Sequence, residues 1–406
     1  MKKISLKHIN FHTVVIALLL FYFSFNYLPS AYSNIALIVA AGIFLIGVFS
    51  KNIKLNWSKQ YVFYYLLMTI PLLLTLISIA NSNTMEPGWH YIKLRLPVLF
   101  IPFIFLNSFE SKEQLMKSVP IFLGFSLFAL FVTIYRLIEI DPVSFYLLNT
   151  DCTPQATIIQ HPYFGILQLV AFVFTLEYLR SIKSNKGIYY VLLLLFTLGV
   201  VVSTSRICYI LYAIILTIYL IKFISRKKTI FILIVMVAGL TMVIATSEAI
   251  QYKFSRSINL ETSPRLRLWN NAYMVLKNSD TPIIGVGIGD YYKEKGDPYW
   301  LRGYVNKLNE KNQYKGLYGF NPHNQYLEFI LLNGVFGLLF LIMMGYLVFI
   351  TFKRNEFLSL SLILVVALFT LTESTLNRQY GVVLYSFLLS IILSLNHIKN
   401  KHIANL

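Results

Sequence analysis

Twelve apolar runs follow one another along the chain, at about residues 11–29, 33–50, 60–80, 93–107, 118–138, 161–179, 187–204, 207–224, 229–247, 325–351, 357–372 and 380–396. Most approach the roughly 20 residues that a helix needs to cross a bilayer. The fourth is the weakest and contains Pro97 and Pro102. The seventh and eighth are separated only by Ser203-Thr204-Ser205-Arg206. A soluble fold cannot hide this much apolar surface, because 57% of residues are hydrophobic and only 13% are charged. The same composition excludes a disordered chain. Helices satisfy their own backbone groups inside lipid, whereas a barrel requires alternating segments of about ten residues, which this sequence lacks. The expected fold class is an all-α membrane protein of about 12 transmembrane helices.

Lysine and arginine in the short loops orient such a bundle. With the N-terminus on the cytoplasmic side, the cytoplasmic segments collect Lys2, Lys3, Lys7, Lys51, Lys54, Lys59, Lys112, Lys117, Arg180, Lys183, Lys186, Lys222, Arg226, Lys227, Lys228, Lys353, Arg354, Lys399 and Lys401. Twelve spans return the C-terminus to the same side, where its basic tail agrees. The net charge of +18 would suggest nucleic acid in a soluble protein. Here most of it serves topology, and no nucleic-acid partner is expected. No small-residue cleavage site follows the first run, so it reads as a retained span and not a signal peptide. Cys152 and Cys208 supply no disulfide framework and no metal cluster, and their pairing stays open.

One long polar segment interrupts the pattern. Residues 248–324 lie between the ninth and tenth runs and are far too long for a simple connection. The chain therefore divides into spans one to nine (1–247), an outer-face subdomain (248–324), and spans ten to twelve with a cytoplasmic tail (325–406). The long segment carries eleven Lys/Arg against seven Asp/Glu. A basic outer loop opposes the positive-inside trend, so its charge points to something other than topology.

The residues that can carry chemistry gather at that face. Arg206 opens the eighth run. It either snorkels to the interface or presents a planar guanidinium to an anion. Within Ser263-Pro264-Arg265-Leu266-Arg267-Leu268-Trp269, Ser263 is a good N-cap and Pro264 a good first helical residue, predicting a helix to about Asn278. Helical spacing puts Arg265 on one face with Trp269, Ala272 and Leu276, and Arg267 on the opposite, watery face. Gly285-Val286-Gly287-Ile288-Gly289 is not a nucleotide fingerprint and reads as a close-packed turn. Asn321-Pro322-His323-Asn324 opens the tenth run. With Asn321 as N-cap, His323 falls in the first helical turn, whose positive end favours the neutral imidazole that a general base requires. His161-Pro162-Tyr163-Phe164-Gly165 opens the sixth run at the same face, and Glu328 and Glu373 are further acids there. The acids of the long segment are scattered, so any phosphate would be neutralised by arginine and no metal or other cofactor is called for.

Taken in order, these motifs resemble the bacterial O-antigen ligase/O-antigen polymerase superfamily of membrane glycosyltransferases. The matching pieces are Ser205-Arg206, Arg265 to Trp269, Pro282 to Gly287, and His323-Asn324 with Gly334 and Gly337 downstream. One departure stands out: family members often carry a glutamate shortly before the Gly-x-x-Gly step, where this chain has Leu332-Asn333. The resemblance implies a GT-C-like integral-membrane fold, an inverting and metal-independent transfer, and a polyprenyl-diphosphate-linked glycan donor at the periplasmic face of the bacterial inner membrane. It implies catalytic roles for His323, Arg265 and Arg206. Diphosphate or glycan contacts would come from Arg206, Arg265, Trp269, Asn324 and His161. The acceptor would be lipid A–core for a ligase, which is the favoured reading, or a growing glycan for a polymerase. A protein O-oligosaccharyltransferase is a third acceptor class, and a polysaccharide transporter or flippase the rival without bond chemistry. The other partners expected are membrane lipids.

Overall fold

The computed structural model describes residues 10–24, 30–140, 153–182, 186–230, 263–293 and 319–404. These form α1 (Phe11–Ser24), α2 (Ser30–Phe49), α3 (Lys59–Ala80), α4 (Glu86–Arg95), α5 (Pro97–Ser108), α6 (Lys112–Ile140), α7 (His161–Ser181), α8 (Gly187–Val202) and α9 (Arg206–Phe223). Then follow α10 (Pro264–Lys277), α11 (Ile288–Lys293), α12 (Gln325–Asn333), α13 (Leu338–Arg354), α14 (Phe357–Thr372) and α15 (Gln379–Ala404). Short 3-10 turns at Gly334–Gly337 and Thr375–Asn377 precede α13 and α15, and Thr153–Ala156 is a single helical turn. Among the described residues there is no strand.

The chain is a multi-pass membrane protein. Seven helical stretches are long and apolar enough to cross a bilayer: α3, α4–α5 together, α6, α7, α9, α12–α13 together, and α15. The shorter apolar helices α1, α2, α8 and α14 stand beside them. These occupy every apolar run except the ninth, which beyond its first two residues lies outside the described ones. So do 248–262 and 294–318 of the long polar segment, and Cys152. Cys208 is a buried free thiol.

Two spans differ from their sequence outlines. The fourth begins at Glu86, ahead of 93, because Glu86-Pro87 supplies a first-turn acid and an early proline. Pro97 does not end it: Leu96 keeps helical angles, and the proline starts α5 as a first-turn residue. The tenth is not one helix. Gly334 takes a left-handed φ of 56° and breaks it into α12 and α13.

Helices α7 and α15 form the centre, almost wholly enclosed by the others. Phe387 of α15 stacks on Phe23 at 4.5 Å between ring centroids and meets Phe105 edge-on at 5.4 Å. The outer helices turn large apolar side chains outward, among them Ile38, Phe49, Leu194, Ile342 and Phe349. Such a surface is stable only against lipid. Hydroxyls inside the bundle bond back to their own helix, as Thr75 does to the Pro71 carbonyl and Ser386 to that of Val382.

The loops alternate between the two ends of the bundle. At one end Lys112 lies between Glu177 and Glu356, Arg180 also pairs with Glu177, and Lys222 donates to the Asn355 carbonyl at 2.8 Å. These belong to the basic loops of the sequence. The opposite end holds Arg206, Arg265, His323 and Glu373.

A glycine turn fastens the 263–293 segment to that second end. The Val286 and Gly287 amides donate to the carbonyls of Leu331 and Leu332 at 3.0 and 3.1 Å, and the Val335 amide returns a bond to Ile283 at 2.8 Å. Asn81 caps the turn through the Gly285 carbonyl at 2.7 Å. A Cβ at Gly334 would stand 1.9 Å from the Ile283 oxygen, so the turn and the helix break fit only as glycine. Gly334→Ala is expected to lose about 1–3 kcal/mol or more from strain and displacement. In a detergent thermal melt it should fall well below wild type. Gly42→Ala, with nothing within 4 Å of its added Cβ, should melt like wild type.

Candidate active site

Arg206 owes its place to a tight turn between α8 and α9. Thr204 adopts a left-handed φ of 51°, and Ser205 is the extended residue before α9. His161 Nδ1 lies 3.0 Å from the Ser203 carbonyl, which only accepts, so that ring nitrogen carries the proton. This bond ties the start of α7 to the turn. A Cβ on Gly165 would meet Ser203 Oγ at 2.4 Å, which shows how closely α7 and the turn approach. His161 thus braces the turn that carries Arg206. The Arg206 guanidinium is near enough to that of Arg265 for the two charges to repel.

Arg265 stands at the start of α10. Ser263 caps this helix through a long contact from the Leu266 amide, 3.5 Å, and the helix runs to Lys277, as its sequence predicts. The Arg265 Nη2 donates to Glu373 Oε1 at 2.9 Å. Arg267 departs from its sequence reading. It is half-buried and engaged, not directed into open water, because α10 lies against the bundle and does not project from it. Trp269 follows one turn after Arg265, and its buried Nε1 has no hydrogen-bond partner among the described residues.

His323 is not in the first turn of the tenth span. Asn324, not Asn321, is the N-cap of α12, accepting from the Leu327 amide at 3.0 Å. Two Asx residues compete to start this helix, and Pro322 would suit Asn321. Asn321 Oδ1 instead accepts the His323 amide at 2.8 Å in a local turn, which His323 completes with a φ of 49°. The imidazole therefore projects from a strained residue ahead of the helix. What holds it is a carboxylate, not a helix end: Nδ1 lies 2.8 Å from Glu373 Oε2.

Glu373 therefore joins the two segments. It follows α14 directly, and its side chain is 8% exposed, against 34% for Arg265 and 39% for His323. Burial works to raise its pKa, but the His323 hydrogen bond and charge, together with Arg265, outweigh this and hold the carboxyl below its ordinary range. In a neutral imidazole, Nδ1–H donating to this carboxylate leaves Nε2 as the proton acceptor. Arg378, five residues on, makes a 3.4 Å contact from Nη1 to Tyr380 Oη. The Tyr380 ring meets the buried Tyr163 ring of α7 with centroids 4.4 Å apart. Among the described residues Arg378 makes no ion pair.

The structure thus brings Arg265 and His323 into one cluster with Arg206 in electrostatic range, and gives Asn324 and His161 work in the backbone framework. Sequence reading singled out Glu373 only as an acid near this face and passed over Arg378. The available signal was an ion held between apolar runs, in Thr372-Glu373-Ser374 and Asn377-Arg378-Gln379.

A carboxylate with a lowered folded pKa stabilises the fold above the ordinary carboxylate range, near pH 4, and loses that contribution as pH falls through the lowered value. Glu373→Gln should therefore melt below wild type at pH 7, with the two melting curves converging as the solution is acidified below about pH 4.

Residues 191–342, from within α8 to within α13, match a family model described as O-antigen ligase. No curated protein matches the chain.

Proposed function

We propose, from the premise that the chain carries an O-antigen ligase domain over residues 191–342, that it is a glycosyltransferase acting on a polyprenyl-diphosphate-linked glycan. The observation that carries this reading is the convergence of Arg265 and His323 on the two oxygens of Glu373. Transfer needs a base for the acceptor hydroxyl and cations for the departing diphosphate, and the cluster supplies both. Its three members come from three segments distant in sequence, which is hard to explain as a packing device. The departing group needs no metal in this reading, since arginine donates in a planar fork and stays charged.

The reaction is a single displacement with inversion. His323 Nε2 takes the acceptor proton as the acceptor oxygen attacks the anomeric carbon. The bond from that carbon to the diphosphate breaks, and the electron pair leaves with the lipid diphosphate. Glu373 holds the imidazole through Nδ1–H and stabilises the imidazolium that forms. Arg265 commits one Nη2–H to Glu373 and keeps its other donors for phosphate. Arg206 and Arg378 add two further cations at the same end.

The basic loops lie at the far end of the bundle. By the positive-inside rule the cluster faces the periplasm, and both termini lie in the cytoplasm. The membrane is then the bacterial inner membrane, the donor undecaprenyl-linked, and the acceptor lipid A–core. An O-antigen polymerase and a protein O-oligosaccharyltransferase are the alternatives within the same chemistry. A transporter predicts charges near the midplane and no base, whereas this cluster sits beside helix starts at one end.

A deletion strain separates the acceptors by its lipopolysaccharide profile. Loss of all O-antigen from the core is the expected result. A core bearing one repeat would indicate a polymerase, and an unchanged profile with altered glycoproteins the third acceptor. In liposomes with purified donor and lipid A–core, His323→Ala should slow transfer by about 10²–10⁴-fold, and Arg265→Ala and Arg206→Ala by about 10²–10³-fold each. Well-expressed variants that all retain full activity would refute the assignment.

A further inference from the structure

A second charged group lies beneath the Glu373 cluster, where substrate does not reach. Arg95, at the junction of α4 and α5, is fully buried, and so is Glu328 on α12. Their Nη2 and Oε1 atoms are 3.9 Å apart. Two ions taken out of water cost more than an apolar pair of similar volume would, so this pair is poorly explained as a source of stability.

The other contacts of Arg95 point to its use. Nε donates to the Leu376 carbonyl at 3.1 Å, Nη2 to Asn377 Oδ1 at 2.8 Å, and Nη1 to Thr75 Oγ1 at 2.6 Å. The Tyr91 and Phe329 rings flank the guanidinium at 5.4 and 5.2 Å. Leu376 and Asn377 belong to the 3-10 turn between Glu373 and Arg378. Asn377 Nδ2 donates in turn to Glu328 Oε1 at 2.6 Å and to Tyr292 Oη at 3.1 Å. Gln325 Oε1 accepts the Leu376 amide at 2.8 Å.

Two of these bonds, Asn377 to Glu328 and Leu376 to Gln325, cross between the two segments that must meet in the site, and the others tie the turn to α4 and α11 and α4 to α3. His323 leads into α12, which carries Gln325 and Glu328. Glu373 leads into the 3-10 turn that carries Leu376 and Asn377. The His323–Glu373 bond is directional, and a shift of about 1 Å between the segments would take it beyond hydrogen-bond range. We propose that Arg95 is a positioning residue for the transfer reaction, holding the 375–377 turn against α12 so that Glu373 meets His323 and Arg265. The proposal rests on the glycan-transfer reading above.

The test uses the full-length protein in liposomes with the same donor and lipid A–core. Arg95→Lys keeps the charge but cannot reach three acceptors at once. Asn377→Ala removes the link to the catalytic segment and leaves Arg95, Thr75 and Glu328 in place. Both avoid the stranded Glu328 of an apolar replacement. Each should lower kcat at least about tenfold with KM changed less than about threefold, since orientation and not binding is lost. Either change combined with Glu373→Gln should be no slower than Glu373→Gln alone, because both act through one carboxylate. Wild-type kcat, or losses that multiply in the double variant, would overturn the proposal.

A second readout is independent of activity. Ser374 is buried beside Glu373. A Ser374→Cys protein carrying Cys152→Ser and Cys208→Ala should resist a membrane-impermeant maleimide, and adding Asn377→Ala should speed labelling about tenfold or more. Unchanged labelling would count against the clamp. If the unsubstituted protein transfers glycan to no acceptor, the functional reading fails, while the labelling still decides whether Arg95 and Asn377 hold the turn.

Discussion

The carboxylate of Glu373 accepts from Arg265 on one oxygen and from His323 on the other, and most of what surrounds it can be understood as holding that arrangement. A carboxylate has two well-separated lone-pair edges, so it can bridge two donors that would otherwise repel. Arg265 arrives on α10 from the polar segment, and His323 from the entry to α12. Without the acid between them, a guanidinium and an imidazole in a half-buried site would have no reason to approach. The lowered pKa of Glu373 expresses the same fact, since two partners outweigh the cost of burying the ion. The acid sits at the end of α14, outside the apolar span, where the bundle interior meets water.

Holding α10 and α12 together requires that the polar segment be fixed to the bundle, and glycine makes this possible. The turn at 285–287 lies so near the end of α12 that its amides bond directly to the carbonyls of Leu331 and Leu332. The break at Gly334 frees those carbonyls from their helical partners. A continuous helix through this point would have used them internally and left the turn nothing to bind. The interruption of the tenth span is thus the means by which the segment carrying Arg265 docks. The same end of α12 receives Ser78 of α3, whose hydroxyl donates to the Leu332 carbonyl at 3.1 Å and accepts the Ile288 amide at 2.8 Å.

The sequence made the helices legible because lipid imposes a single rule on every span. Apolar runs about 20 residues long marked nearly all of them, and Ser263-Pro264 marked the start of α10 correctly. The rule is blind to irregularity. Pro97 sits inside a span without ending it, and Gly334 ends a helix inside an unbroken apolar run. The start of α12 was misplaced because Asn321 and Asn324 are equally good caps on paper, and the choice depends on where His323 must point. Arg206, Arg265 and His323 were visible as ions or imidazole near one face. Glu373 was visible only as an acid with an unassigned neighbour, since its meaning lies in two partners distant in sequence. The Arg95 clamp was illegible for the same reason: its links to Thr75, Glu328 and Asn377 span three other segments.

The electrostatic balance of the cluster argues for an anionic ligand on physical grounds alone. Among the described residues, Arg206 and Arg265 bring two permanent cations close together, with the Glu373 carboxylate on Arg265. Four helices, α7, α9, α10 and α12, begin at this end of the bundle. Proteins rarely gather excess like charge in a half-buried place, because repulsion and desolvation act together. Arg206 and Arg265 already feel each other. A diphosphate would relieve that repulsion by bringing negative charge between the two guanidiniums. Its oxygens fit the planar donors that Arg265 does not spend on Glu373. In the glycan transfer proposed above, the relief would grow as the leaving group gains charge in the transition state, so an arrangement costly in the empty protein would favour bond breaking over mere binding.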